Sequence, residues 1–250
     1  MKFTYESYLT MLKKVKDRGY TFATYQNWKN FEKSVILRHD VDCSLKMAAI
    51  FSDYEKKYCN TCRGIYFVLV STNFYNIHSK ESRNYIEMII KNGGIIGLHF
   101  DETQYNIQSE QELKEHVYKE ADTLSEIIGT KVNTVSMHKP SAKFLSSNIS
   151  FENIINTYSQ IYFKDMKYLS DSRRNWRENV DEIIEQETYQ RLHILTHPIW
   201  YSGGVEKNLR QSLRENILNA SLDYYDNLNN NFRNLSEEIT RVEIEEIITC

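Results

Sequence analysis

Two carboxylates stand two residues apart in Arg38-His39-Asp40-Val41-Asp42, directly after the apolar run Val35-Ile36-Leu37. Alternate side chains of a strand share a face, so Asp40 and Asp42 point the same way. Acids that close do not both stay ionised unaided: one keeps its proton, or a cation lies between them. The second arrangement is that of a metal-assisted hydrolase, where one carboxylate holds the ion and the other takes a proton from the attacking water. A solvated loop carrying two acids is the plain alternative for so short a motif.

Imidazoles and further acids recur in the same setting. His99 and Asp101 come after Ile95-Ile96-Gly97-Leu98, His138 after Val135-Ser136-Met137, Asp171 just beyond Tyr168-Leu169, and His197 after Ile194-Leu195-Thr196. Arg38 shares a face with Asp40 and can orient it through two hydrogen bonds. His39 points to the opposite side and reads as a packed core histidine, as does His193, whereas His78 and His116 read as surface residues. Trp200 and Tyr201 either line a pocket or pack beside its mouth. The two prolines of the chain, Pro140 and Pro198, closely follow His138 and His197. Their fixed φ stiffens the loops that carry those histidines.

The elements that must position these groups alternate. Helical periodicity marks Tyr5–Arg18, Ser44–Tyr58, Lys80–Lys91, Glu110–Ile128 and a last long helix over Val205–Leu228. Short apolar, β-branched runs mark strands at Val35–His39, Gly64–Val70, Gly93–His99, Val132–Met137 and Arg191–Thr196. The stretch Tyr20–Lys33 reads as irregular, Phe151–Tyr158 as helical and Tyr162–Leu169 as extended. Six or seven strand–helix repeats without a dinucleotide glycine fingerprint predict an α/β fold, a parallel sheet closing into a barrel. Sites on such barrels lie at the C-terminal ends of the strands, which is where the polar residues fall.

Composition narrows the function classes. The 250 residues suit one domain, and 31 basic against 34 acidic side chains give a net charge of −3 with no basic stripe, which argues against nucleic acid as a partner. No stretch approaches the roughly 18 to 20 apolar residues of a membrane span, and the N-terminus lacks the apolar core of a secretory signal. A cytoplasmic protein is therefore expected. Four cysteines (Cys43, Cys59, Cys62 and Cys250) are too few for a disulfide framework and agree with a reducing compartment. Cys59-Asn60-Thr61-Cys62 is half a zinc knuckle without its other half, so ordinary thiols at a helix end are expected.

From Leu37 to His197 the order of these motifs resembles the polysaccharide deacetylase superfamily (carbohydrate esterase family 4-like), which removes acetyl groups from N-acetylated sugars on a distorted (β/α)7-type barrel. The resemblance implies Asp40 as general base, Asp42 and His99 as ligands of a divalent ion, and His197, in Leu195-Thr196-His197-Pro198, as general acid. Zinc is the expected ion, with cobalt, nickel or manganese as alternatives. The resemblance further implies that Asp171 tunes His197, with Arg173 and Trp176 near the substrate. One position departs: the usual second histidine, four residues after His99, is Thr103. His138 is the first candidate to replace it and Asp101 the second, Asp101 otherwise serving the substrate side.

The expected organisation is a cap helix and lead-in over 1–34, a single-domain barrel over 35–229 and a charged, less ordered tail over 230–250. Three functions compete: a metal-dependent deacetylase of a carbohydrate, such as a nucleotide- or lipid-linked precursor of a surface polysaccharide; an amidohydrolase of a small non-sugar amide; and a non-catalytic carbohydrate-binding or assembly protein that has lost its metal.

Overall fold

Among the described residues, eight short strands and ten helices realise the alternation that the apolar runs demand. A computed structural model describes residues 1–59 and 61–249; Asn60 and Cys250 lie outside the described residues. The chain divides into two compact units, Met1–Tyr201 and Ser202–Cys250.

In the first unit the strands are β1 (Thr21–Ala23), β2 (Ser34–Val41), β3 (Ile65–Leu69), β4 (Ile95–Phe100), β5 (Thr134–Met137), β6 (Ile155–Asn156), β7 (Lys167–Ser170) and β8 (Arg191–Thr196). The helices are α1 (Tyr5–Asp17), α2 (Leu45–Tyr58), α3 (Lys80–Lys91), α4 (Glu110–Ile128), α5 (Ala142–Ser146), α6 (Ile161–Lys164) and α7 (Val180–Gln186). Every described pairing is parallel, in the order β6-β5-β4-β3-β2-β8-β7, and β1 joins the first half of β2 on the side that β3 takes over further along. The sheet curls into a distorted, open barrel with β6 and β7 at its edges. Side-chain caps start the helices at the sites where orphan N–H groups need partners: Thr4, Ser44, Ser79 and Ser109 accept from the third residue on.

β2 is buried along its whole length and so sorts its residues by parity alone. Val35, Leu37 and Val41 join the large cluster formed with the helices, whereas Ile36 joins Tyr25, Trp28, Ile65, Phe67, Tyr162 and Met166 in the small cluster that fills the barrel. Arg38 and Asp40 follow Ile36 on the inner face. Gly97 is what makes room for this filling: a Cβ there would meet Phe67 Cε1 at 2.6 Å and Thr134 Oγ1 at 2.7 Å. The glycine of the Gly97-Leu98-His99 motif thus lets the ring of Phe67 slide in beneath Arg38, 5.5 Å from its guanidinium carbon.

Several local expectations change. The irregular stretch holds β1 and a short 3-10 turn at Trp28–Asn30. Phe151–Tyr158 is not helical: Ile155 and Thr157 donate to Asn133 and Val135 of the neighbouring strand region, and Asn156 folds its side chain onto Ile149 O and Tyr158 N. Tyr162–Leu169 is only half extended, because α6 takes one helical turn that swings Tyr162 into the barrel before β7 begins. Cys59 and Cys62 are not thiols but a disulfide: the turn after α2, with Cys62 N donating to Cys59 O at 3.0 Å, brings their Cα atoms to 5.4 Å. Cys43 is free.

The second unit is helical, with α8 (Leu209–Asn229), α9 (Leu235–Glu238) and α10 (Arg241–Thr249). α8 starts four residues later than its apolar pattern suggests, where Asn208 and Gln211 form a reciprocal capping box. The tail beyond it is ordered by Tyr225 donating to Ile239 O, the Arg241–Asp226 pair and Arg214 donating to Ile248 O. All eight described strands and α1 fall within the first unit, Met1–Tyr201. Among the described residues no helix is long and apolar enough to cross a membrane.

Candidate active site

The parallel register brings the chemistry of β2, β4, β5 and β8 to one end of the sheet. Asp40 is level with Phe67 and Gly97, and the next layer holds His99 and Ser136 side by side. Asp42, one residue beyond β2, reaches that same layer.

Asp40 is 4% exposed and Arg38 is fully buried. Two residues apart on one face, they form a forked pair, Nε to Oδ1 and Nη2 to Oδ2, both 2.8 Å. Arg38 Nη2 also bonds Ser136 Oγ and reaches Tyr158 OH at 3.4 Å. Burial alone would raise the Asp40 carboxyl, but Arg38 and the facing His99 and His197 hold it below its ordinary value. Asp40 is therefore an ionised, rigidly held carboxylate, with Oδ2 3.7 Å from His99 Nε2.

Asp42 Oδ1 lies 3.2 Å from His99 Nε2 and 3.2 Å from His138 Nδ1, and these two nitrogens are 3.3 Å apart. Among the described residues these three form the group able to grip a metal ion. The donor set passes a chemical test. His99 Nδ1 faces the carbonyl of Ser136 at 3.2 Å, so in the neutral ring the proton belongs on Nδ1 and Nε2 offers a lone pair. Such a nitrogen facing a carboxylate oxygen at 3.2 Å is favourable with a proton on the ring or with a cation between the two atoms. Three ligand atoms on an ion with bonds of about 2.0 to 2.1 Å stand about 3.3 Å apart at the corners of a tetrahedron, close to the spacing found. Two imidazoles and one carboxylate are also the donor types of catalytic zinc centres, which leave a fourth position open. Asp42 is held well below the usual carboxylate range: burial opposes this, and His138 and His99 outweigh it.

His138 comes beside His99 because β5 ends next to β4, where its N–H donates to Phe100 O at 2.7 Å. Lys139 then turns the chain away with φ 50°, a left-handed backbone that a lysine adopts only when its surroundings impose it. Asp101 is not in the group: its carboxylate accepts from Thr103 N (3.0 Å), Thr103 Oγ1 (2.7 Å) and Gln104 Nε2 (3.1 Å), so it caps the turn after β4. Thr103, the departure from the motif, is spent on that cap.

Opposite the triangle, His197 Nε2 faces Asp42 Oδ2 at 3.9 Å. Its Nδ1 is bonded to Asp171 Oδ1 at 2.5 Å, and its backbone N–H donates to Asp171 Oδ2 at 3.0 Å. Burial disfavours a charged ring, but the fully buried Asp171 overrides it and lifts His197 to about 9. Tyr201 OH donates to Asp171 Oδ2 at 3.1 Å, a role invisible in the sequence, where Tyr201 reads as pocket lining or packing. Arg173 stands exposed on the loop after Asp171 with φ 59°, and Trp176 on the same loop is half-buried against the outer core. Sequence patterning misses Tyr158, whereas Ser136, two residues before His138 at the end of β5, carries a readable signal, since alternation puts it on that histidine's face.

The remaining histidines have other work. His193 is fully buried inside the barrel, 2.8 Å from Tyr25 OH, and burial pushes it down to about 3. His39 is fully buried on the outer face. His78 is exposed, while His116 is half-buried and stacks on Tyr105 with centroids 4.0 Å apart.

No family model matches the chain, and no curated protein does. Among solved structures, similarity is found to a mutant of BA3943, a CE4 family pseudoenzyme with restored enzymatic activity, at 17% identity and a TM-score of 0.44 over 76% of this chain and 63% of that one. The chain thus spans less than two thirds of that protein. It is also similar to the Streptococcus pyogenes deacetylase PplD in complex with acetate (14% identity, TM-score 0.43, 78% of this chain and 81% of that one). A third is the chitin deacetylase of Colletotrichum lindemuthianum (13% identity, TM-score 0.41, 74% and 81%).

Proposed function

We propose that this is a metal-dependent hydrolase that removes an N-acetyl, or related acyl, group from a sugar. The observation that carries the reading is the triangle of Asp42 Oδ1, His99 Nε2 and His138 Nδ1, with edges of 3.2 to 3.3 Å, flanked by a pinned carboxylate and a pinned imidazole. Asp42, His99 and His138 would hold a divalent ion, zinc by the character of the donors, with cobalt, nickel or manganese as alternatives. Such an ion polarises the acyl oxygen and makes a bound water acidic. Asp40 accepts the proton of the attacking water, its orientation fixed by Arg38. His197, charged and held through Nδ1 by Asp171, presents Nε2–H to the departing amine. Each of these proton transfers is worth about 10² to 10⁴ in rate. The non-catalytic alternative drew its force from Thr103, and His138 removes that force by supplying a third ligand.

The substrate is a carbohydrate carrying an acylated amine, free or linked to a nucleotide or lipid carrier. A cytoplasmic setting requires Cys59 and Cys62 to be thiols in the cell, because structural disulfides belong to oxidising compartments; trapping thiols at lysis and counting the alkylated cysteines tests it. The activity is tested by loading purified protein with zinc, cobalt or nickel and assaying acetate from N-acetylated monosaccharides, oligosaccharides and nucleotide sugars. Acetate release that vanishes in Asp40→Asn is expected. No release from any of them would remove the reading.

A further inference from the structure

The first residues of β7 and β8, Lys167 and Arg191, stand at the N-terminal end of the sheet, opposite the metal ligands. Arg191 precedes His197 by six residues, about 20 Å of extended chain. A cavity of about 370 Å³ opens at this end, and its walls include Phe163, Lys164, Asp165, Lys167, Tyr189 and Arg191. That volume is in the range of small-ligand pockets.

The cations of these walls are not all spent on the protein. Lys167 Nζ is 2.6 Å from Glu178 Oε1, an ion pair that neutralises it. Lys164 Nζ donates to the uncharged Gln160 Oε1 at 2.7 Å. Among the described residues the half-buried Arg191 has no carboxylate partner and its Nε no acceptor; the guanidinium rests on Trp28, with Cζ 4.8 Å from the ring. An arginine carries five N–H donors in a planar fork that matches a phosphate, and leaving them without acceptors costs free energy unless water or a ligand supplies them. One carboxylate, Asp165, stands in the walls, so with Glu178 counted the balance is three cations to two acids. Phe163 is 38% and Tyr189 39% exposed. Exposed rings beside unanswered cations suit a ligand that joins a flat ring to a compact anion.

We propose that this cavity is a second ligand site, for an organic phosphate monoester bearing a planar ring, of the nucleoside monophosphate type. Arg191 and Lys164 take the phosphate, and the exposed rings take the base. The site lies at the far end of the barrel from the metal centre and does not depend on the proposed hydrolysis. The test is calorimetry of the purified protein with AMP, and with adenosine and inorganic phosphate as its separate halves. AMP should bind about tenfold more tightly than either half. Arg191→Gln should weaken AMP about tenfold and Lys164→Gln severalfold, whereas Asp165→Asn should tighten it by removing a like charge. Lys164 and Asp165 are exposed, so their variants keep the fold, which circular dichroism verifies, and they decide the matter if Arg191→Gln destabilises the chain. Asp42→Ala, which disables the metal group, should leave AMP affinity unchanged. No saturation at millimolar AMP, equal affinity for AMP and either half, or an affinity indifferent to both Lys164→Gln and Asp165→Asn overturns the site. Binding of AMP that is lost in Asp42→Ala places the ligand at the metal centre and overturns it as well.

Discussion

β2 carries two buried polar clusters back to back, and they end differently. On the outer face His39 Nδ1 lies 2.7 Å from Thr196 Oγ1, while its Nε2 is 3.1 Å from Glu55 Oε1, off the line of an ideal hydrogen bond. Glu55 also accepts from Tyr8 OH at 2.5 Å and Tyr66 OH at 2.7 Å, and the rings of Tyr8, Phe51 and Tyr66 close over His39. On the inner face Arg38 forks onto Asp40 and reaches Ser136 and Tyr158, and the layer above brings Asp42 Oδ1, His99 Nε2 and His138 Nδ1 within 3.3 Å of one another. A buried cluster tied together by hydrogen bonds joins elements, here α1, α2, β2, β3 and β8. One that converges two imidazole nitrogens and a carboxylate oxygen on a single point has the donor set of a cation site. Adjacent residues of one strand thus serve architecture and chemistry by parity alone.

Replacing a ligand should give the largest effect. Asp42→Ala and His99→Ala should abolish stoichiometric metal, read by elemental analysis, and bring acetate release to background with the fold intact. Metal retained in both would erase the distinction between the two faces. Next, Asp171→Asn should lower turnover by about 10² to 10⁴ by freeing His197 from its tautomer and charge.

The same pair sets a pH signature in the metal-free protein. His197 is lifted from 6.5 to about 9, so the stability it draws from Asp171 is complete below 6.5 and is lost as pH climbs through about 9. Denaturation curves followed between neutral and alkaline pH should show that step, and Asp171→Asn should remove it.

The outer cluster should respond in stability alone. Glu55→Ala strands two tyrosine hydroxyls and His39 and should cost roughly 3 to 5 kcal/mol in denaturant melts, with metal content unchanged. Glu55 is held low by His39 and the two hydroxyls against the effect of burial, so its contribution is present above its ordinary value of 4.5 and fades as pH falls through the folded value. Thr196→Val is the smallest and sharpest probe: about 1 kcal/mol of stability, with turnover within twofold although His197 is the next residue.

Much of this was legible in one dimension because strands impose a period of two and helices one near 3.6. That periodicity made the parallel α/β barrel readable, placed Asp40, Asp42, His99, His138 and His197 at strand ends, and put His39 on the far side of β2. What failed were short segments with little burial pattern of their own. β6 and α6 exist because a neighbouring strand offers hydrogen bonds and the barrel needs Tyr162 as filler, neither of which is written locally. Cys59 and Cys62 pair because a turn brings them together, a matter of backbone path and not of count.

Order along the chain determined which side chains this protein has available at the barrel mouth, since alternation and apolar runs are local consequences of residue type. Only the tertiary structure decided which of them meet: His138 rather than Asp101 beside Asp42, Tyr201 on Asp171, Glu55 behind His39. The reason is that the choice depends on register between strands far apart in sequence and on distances of a few tenths of an ångström, and no local pattern encodes either.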